Sequence, residues 1–271
     1  PVSAVYPRAW AEWSSPDFDA LRQSPHAMRA VAVLPVAAVE QHGPHLPTGV
    51  DTYLTEAMLQ QALTRLPNQL PTPVLPTQAI GLSPEHAAFA DTLTLPPSTV
   101  LALWHALGQS VASSGLRKLL IFNGHGGQAS LTDAAARMLR AECGLTVVTC
   151  NWYQLPMDDA VRALFSEHEH RFGVHGGDVE TSIMLAIAPH LVRMQHAQQF
   201  ASTSERRARD TRVLGNGVSA KLAWQAQDLN PSGAVGNAAA ASAAKGQAVL
   251  TAVAQSLAEL IQDIADLEPL A

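Results

Sequence analysis

Cysteine is almost missing from this sequence. The two that occur among its 271 residues, Cys143 and Cys150, flank one predicted strand, LTVVTC. An extended run of that length would hold them roughly 20 Å apart, far beyond disulfide reach. They read as buried thiols in a reducing compartment, and the expected location is cytoplasmic. Aromatic residues are also scarce, at 5%, which leaves no platform for stacking bases. Charged residues make up only 15%, and the 17 Lys and Arg form no stripe against 23 Asp and Glu. With a net charge of -6, nucleic acid is not the expected partner. No unbroken apolar run reaches the ~18 residues of a membrane span, and no signal-peptide pattern opens the sequence. What is plentiful is apolar side chain, 47% of the residues, enough for the core of one α/β domain over 1–271.

The apolar patterning alternates between strands and helices. A short helix is expected around Trp10 and Trp13, with Ser15 or Asp17 near its cap. A buried strand follows at 30–39, then a helix at 52–66 whose Leu54, Met58, Leu59, Ala62 and Leu66 fall at helical spacing. The stretch TPVLPTQAIG reads as a second strand, and GLSPEHAAFADTLTL as a loop. A helix from Pro97 to about Ser114 is stopped by Gly115. A third strand, LRKLLIFN, a helix ending near Glu142 and a fourth strand, LTVVTCNW, complete the pattern. Four strands alternating with three helices predict a parallel sheet covered on both faces. The Arg-rich run 202–216 reads as a solvated loop or partner contact, 168–170 (HEH) as solvated surface, and 238–267 as a closing helix.

Three segments carry candidate chemistry. In PVAAVEQHGPHLPTGVDTY, Glu40 and His42 stand two residues apart at a strand end, so both project from one face. Asp51 follows where a helix begins. Carboxylate, imidazole and carboxylate suit a hard-to-borderline divalent metal, although Asp51 would also serve as a helix cap. The turn Asn123-Gly124-His125-Gly126-Gly127 comes directly after the third strand, and strand ends are where ligands collect in open α/β sheets. In HGGDVETSIMLAIAP, Glu180 falls on the first turn of a helix, and His175 precedes it across a Gly-Gly hinge. Glu40, Asp51 and Glu180 supply three negative charges and a hydroxide a fourth, which two divalent ions would neutralise. Water on such ions ionises near neutral pH, so no Ser or Cys nucleophile is needed.

These segments together resemble the creatininase (creatinine amidohydrolase) family: EQHGPHLP with Asp51, NGHGG at 123–127, HGGDVETS at 175–182, and the 81–95 loop. The resemblance implies a three-layer α/β/α sandwich around a mostly parallel sheet, a two-metal site holding Zn, Mn or Fe, hydrolysis of a non-peptide C–N bond, and a homohexamer. It places Glu40, His42, Asp51 and His125 at metal-ligand positions and His175 beside the substrate as a proton-transfer residue. Creatininase itself has Tyr and Glu where this sequence has Gly126 and Gly127, which leaves Glu180 to complete the site, as ligand or catalytic base. Its substrate loop also differs, with Ala90-Asp91-Thr92 where PGT is frequent.

The expectation is therefore a dinuclear amidohydrolase, acting on a small cyclic amide or formamide through a hydroxide held between the ions. His175 would protonate the leaving nitrogen, Gly126 and Gly127 would offer backbone donors, and Ser83, Glu85 and His86 would face the substrate from the opposite wall. A metallopeptidase acting on a small peptide, as in relatives that mature cofactors, is the alternative. A binding protein that has lost the chemistry is the third class. The 202–216 run and the Trp10/Trp13 segment are expected at subunit contacts.

Overall fold

The structure, a computed structural model, describes residues 5–268. Three strands, β1 (Ala32–Val36), β2 (Lys118–Asn123) and β3 (Thr146–Asn151), form a parallel sheet in the order β1-β2-β3. The main helices are α1 (Ser15–Gln23), α2 (Val50–Leu63), α3 (Pro97–Ser113) and α4 (Ala129–Cys143). After β3 come α5 (Asp159–Arg162), α6 (Glu167–Phe172), α7 (Asp178–Ile187), α8 (Thr203–Asp210), α9 (Ala226–Leu229) and α10 (Ala243–Asp266). A separate antiparallel pair joins β4 (Gln199–Phe200) to β5 (Gly236–Asn237).

Alternation of side chains along the strands gives the sheet two apolar faces. Val33, Leu120, Phe122 and Cys150 pack against α2, α7 and α10; Ala32, Leu34, Leu119 and Ile121 pack against α1, α3 and α4. The result is the expected α/β/α sandwich. Gly108 lies so close to Leu139 that a Cβ would overlap it, which lets α3 and α4 approach.

The predicted second strand does not form. Residues 71–78 do run alongside β1: Val31 and Val33 N–H donate to Pro71 and Pro73 O, and Gln78 N–H donates to Pro35 O. But Pro71, Pro73, Pro76 and Pro35 have no N–H, so the ladder is reduced to isolated bridges at Val74 and Gln78. Three other expectations change. Trp13 is buried in the core, stacked on Tyr6 with its indole N–H on Pro7 O, so it is not a surface anchor. The 202–216 run contains α8, begun by a Ser202/Glu205 capping box. Glu169, in the stretch read as solvated, is 2% exposed.

α10 is, by length and composition alone, long and apolar enough to cross a membrane. A search for unbroken apolar runs passes over it because Gln, Ser and Glu interrupt the pattern. Here Val249, Leu250, Val253, Leu257 and Ile261 are buried against the rest of the fold, with α2 and α7 as its main neighbours. Gly246 makes the crossing with α7 possible, since a Cβ there would overlap Ser182 O. Cys143 and Cys150 are free thiols; burial pushes that of Cys150 up to about 12.

Candidate metal centre

The candidate residues gather beyond the C-terminal ends of β1 and β2. β2 ends at Asn123, whose side chain holds the following turn: Nδ2 donates to His125 O (2.7 Å) and Oδ1 accepts from His125 N–H (3.1 Å). The buried Gln128 clamps the same turn, donating to Asn123 Oδ1 (3.0 Å) and to Ala37 O (3.1 Å). Gly124 has no room for a Cβ, which would overlap Thr55 Oγ1, so α2 can come close enough to bring Asp51 in from its first turn. Asp51 therefore sits inside the helix, and Gly49 is the N-cap residue. Glu180 lies on the first turn of α7, its Oε2 accepting from Gly176 N–H (2.6 Å). Gly176 reaches that arrangement at φ +64°, a region that favours glycine.

Three imidazoles share one design. His42 Nδ1 lies 3.0 Å from Glu40 O, His125 Nε2 3.1 Å from Leu82 O, and His175 Nε2 2.6 Å from Gln41 O. Each backbone carbonyl can only accept, so each of those nitrogens carries the proton and the other nitrogen points into the cluster. His42 Nε2 then lies 3.4 Å from Asp51 Oδ1 and 4.0 Å from Glu180 Oε2. His125 Nδ1 lies 3.2 Å from Glu40 Oε1 and 3.3 Å from Asp51 Oδ2. The two oxygens of Asp51 thus face two different histidines.

Both Glu40 oxygens, Asp51 Oδ2 and His42 Nε2 are buried without a hydrogen-bond partner among the described residues. Unpartnered carboxylate oxygens and imidazole lone pairs aimed at one point are a donor set suited to divalent metal. Three groups have ligand atoms within 4.8 Å of one another: Glu40, Asp51 and His125; His42, His175 and Glu180; Glu40, His86 and His175. Without an ion, the electrostatics are divided. Burial, and then the Asp51 charge, raise Glu40. Burial lowers the His42 imidazolium, but the Asp51, Glu180 and Glu40 carboxylates outweigh it and lift His42 to about 9. Burial likewise opposes, and His42 and His125 more than offset it, so Asp51 is held well below the usual carboxylate range.

The predicted substrate wall is placed differently from the expectation. Ser83 and His86 are buried, and His86 lies within the ligand cluster itself, beside Glu40 and His175. Gln41 Nε2 meets His86 Nδ1 at 2.7 Å while also donating to Gly233 O (2.9 Å), so the neutral His86 ring carries its proton on Nε2, towards Glu40 Oε1 at 3.4 Å. Ser83 Oγ and the Glu85 carboxylate both lie against His125 Nε2, at 3.4 and 3.1 Å. Gly126 and Gly127 are exposed. His175 is buried and held, not mobile behind its glycines, and burial followed by the charge of His42 lowers it to about 4. Gln41, Gln128 and Glu169 carry no metal-ligand pattern in the sequence. Their roles come from contacts as distant in the chain as Gln41 to Gly233 and Glu169 to Asn237.

The likeness to known proteins extends over most of the chain. The family model described as creatinine amidohydrolase matches residues 11–261. The mycofactocin precursor peptide peptidase of Mycolicibacterium smegmatis is 27% identical over 88% of this chain and 86% of its own. The creatinine amidohydrolase of Pseudomonas putida is 27% identical over 86% and 89%. The 3-dehydro-scyllo-inosose hydrolase of Thermotoga maritima is 26% identical over 88% and 78%. A crystal structure of creatinine amidohydrolase superposes with a TM-score of 0.74 at 26% identity, covering 94% of this chain and 96% of the other. A solved structure described as "Creatininase Mn" has a TM-score of 0.75 at 24% identity, covering 95% and 98%. With the match running from the first helix to the last, and the motifs meeting at one buried cluster, this chain is a member of the creatininase family of hydrolases.

Proposed function

We propose that this protein is a dinuclear metal-dependent amidohydrolase that cleaves a C–N bond in a small cyclic amide or a formamide. The observation that carries the reading is the set of three anchored imidazoles aimed at a carboxylate cluster in which both Glu40 oxygens and Asp51 Oδ2 have no hydrogen-bond partner among the described residues. Glu40, Asp51 and His125 would hold one divalent ion; His42, Asp51 and Glu180 the other, with Asp51 shared. Oxygen and imidazole donors without thiolate suit Zn, Mn or Fe. When bound, such ions polarise an amide carbonyl and bring the ionisation of water towards neutral pH.

The chain's own groups do the rest. The exposed backbone of Gly126 and Gly127 offers N–H donors beside the cluster for the oxyanion that forms as the carbonyl carbon becomes tetrahedral. His175 moves the proton. Its Nε2–H is fixed on Gln41 O, so Nδ1 takes a proton from the attacking water and delivers it to the leaving nitrogen without a swing of the ring. Glu180 shares that edge of the cluster and is tied to the His175 segment through Gly176. Peptide hydrolysis is the second reading, supported by the likeness to mycofactocin precursor peptide peptidases. We also propose a homohexamer located in the cytoplasm.

Metal analysis of protein purified without chelator tests the centre: about two ions per subunit are expected, and a stoichiometry near zero in metal-replete protein refutes it. A screen against lactams, hydantoins, creatinine, formamides and short peptides then separates the readings, turnover of peptides alone favouring the second. A monomer mass in light scattering at micromolar concentration rejects the hexamer.

A further inference from the structure

We infer that Glu85 is a positioning residue for His125: its carboxylate lies against the Nε2 edge of the ring, where the N–H is shared with Leu82 O, and its charge holds Nδ1 on the metal side. This rests on the reading of the cluster as a metal centre. Glu85 belongs to the short turn 84–86 of the 81–95 loop, which is tied down on both sides. Thr94 Oγ1 accepts from Ser83 N–H at 2.8 Å, and Gln41 meets His86 at 2.7 Å. From that turn the Glu85 side chain, 13% exposed, reaches His125 Nε2 at 3.1 Å. On the other edge of the same ring, Nδ1 faces Glu40 and Asp51 at 3.2 and 3.3 Å. The line from carboxylate through imidazole to the ligand cluster is how outer carboxylates fix the tautomer of a metal-binding histidine and strengthen its donation.

A second observation is independent of that distance. A Cβ on Gly127 would overlap the Glu85 carboxylate and come within 2.5 Å of His125 Nε2. The space a side chain at 127 would fill is occupied by a carboxylate from another loop, so glycine at 127 and Glu85 belong together. Leu82 O also lies 3.1 Å from His125 Nε2 and could hold the ring as a neutral acceptor. What Glu85 adds is a charge on the acceptor, which Glu85→Gln removes while keeping an amide oxygen in place.

The test is a titration of demetallated protein with Zn²⁺ against a chromophoric chelator, with the visible bands of Co²⁺ reporting coordination. In Glu85→Ala, one of two sites should weaken by about ten- to a hundredfold and its Co²⁺ bands should shift, while the other site is unchanged. Glu85→Gln should lose less. Wild-type affinity at both sites in Glu85→Ala overturns the inference. If Glu85→Ala does not fold, Glu85→Gln decides by the same readout. A wild-type protein that takes up no metal refutes the metal centre itself; a wild type that does, with variants equal to it, refutes only the role of Glu85.

Discussion

Glu40 and Glu169 are both buried carboxylates, 0% and 2% exposed, and burial is the largest influence raising both. They differ in what meets their oxygens. Glu169 is fully provided for: Oε1 accepts from Asp178 N–H at 2.6 Å and Oε2 from Asn237 N–H at 2.8 Å. Gly173, Gly177 and Gly236 crowd it so closely that a Cβ on any of them would overlap its carboxylate. Among the described residues Glu40 has no well-aligned hydrogen bond to either oxygen; only imidazole nitrogens approach Oε1, His125 Nδ1 at 3.2 Å and His86 Nε2 at 3.4 Å. A buried charge met by backbone donors stabilises the local fold. One left unmet in a finished fold costs stability unless something from outside completes it. Burial alone does not distinguish a structural carboxylate from a ligand; the partner set does.

The comparison can be broken most severely at Asp51, which both proposed ions share. Asp51→Ala should release both and take activity on any authentic substrate to background, as read by metal analysis and turnover; loss of a single ion would remove Asp51 as the bridge. Next comes Glu169→Ala, which strands two buried N–H groups and should lower stability by about 2–5 kcal/mol in urea unfolding, with metal content per folded molecule retained. Metal should stabilise wild type by about 2.7 kcal/mol for each bound ion when free ion is a hundredfold above Kd, and Asp51→Ala should show none of this. In chelator, Glu40→Gln should unfold no earlier than wild type, because burial of the Glu40 charge outweighs what the nearby histidines return. An earlier transition would mean that Glu40 is as structural as Glu169.

The smallest effect is in pH. Because the folded protein raises Glu169, it binds that proton more readily than the unfolded chain does. The associated stability is fully present below the unfolded value, about 4.5, and is lost as pH rises through the folded one. Relative to Glu169→Gln, wild type should therefore gain stability as pH is lowered through this window, measured by urea unfolding at a series of pH values. The opposite slope would mean that the backbone donors outweigh burial.

Much of the fold was legible because its signals are local. Pro97 opens α3 and Gly144, at φ +66°, closes α4, so both helices run close to their expected bounds. Strand β2, at the centre of the sheet, is buried along its whole length and apolar over Leu119–Phe122, as a buried parallel strand should be; β3, at the edge, is only partly buried. The strand expected over TPVLPTQAIG, 72–81, was misread because apolar content says nothing of missing N–H groups until a neighbour needs them. The charged stretch around Glu169 looked solvated because the donors that meet it lie outside the stretch, Asp178 beyond the Gly176-Gly177 turn and Asn237 far along the chain. His86 was placed on a substrate wall, yet Gln41 turns its ring towards Glu40.

The sequence by itself determined the donor types and the elements that bear them: Glu40 and His42 beyond a strand, Asp51 at a helix start, His125 in a glycine turn, Glu180 on the first turn of α7. Those follow from side-chain period and from Gly and Pro chemistry, which act over a few residues. The tertiary structure decided which nitrogen of each histidine faces the cluster, which carboxylates go unpaired, and that Glu85 fills the space beside Gly127. Those depend on the acceptors Gln41 O and Leu82 O and on the donor Asn237 N–H, brought into contact only when the loops close over the end of the sheet.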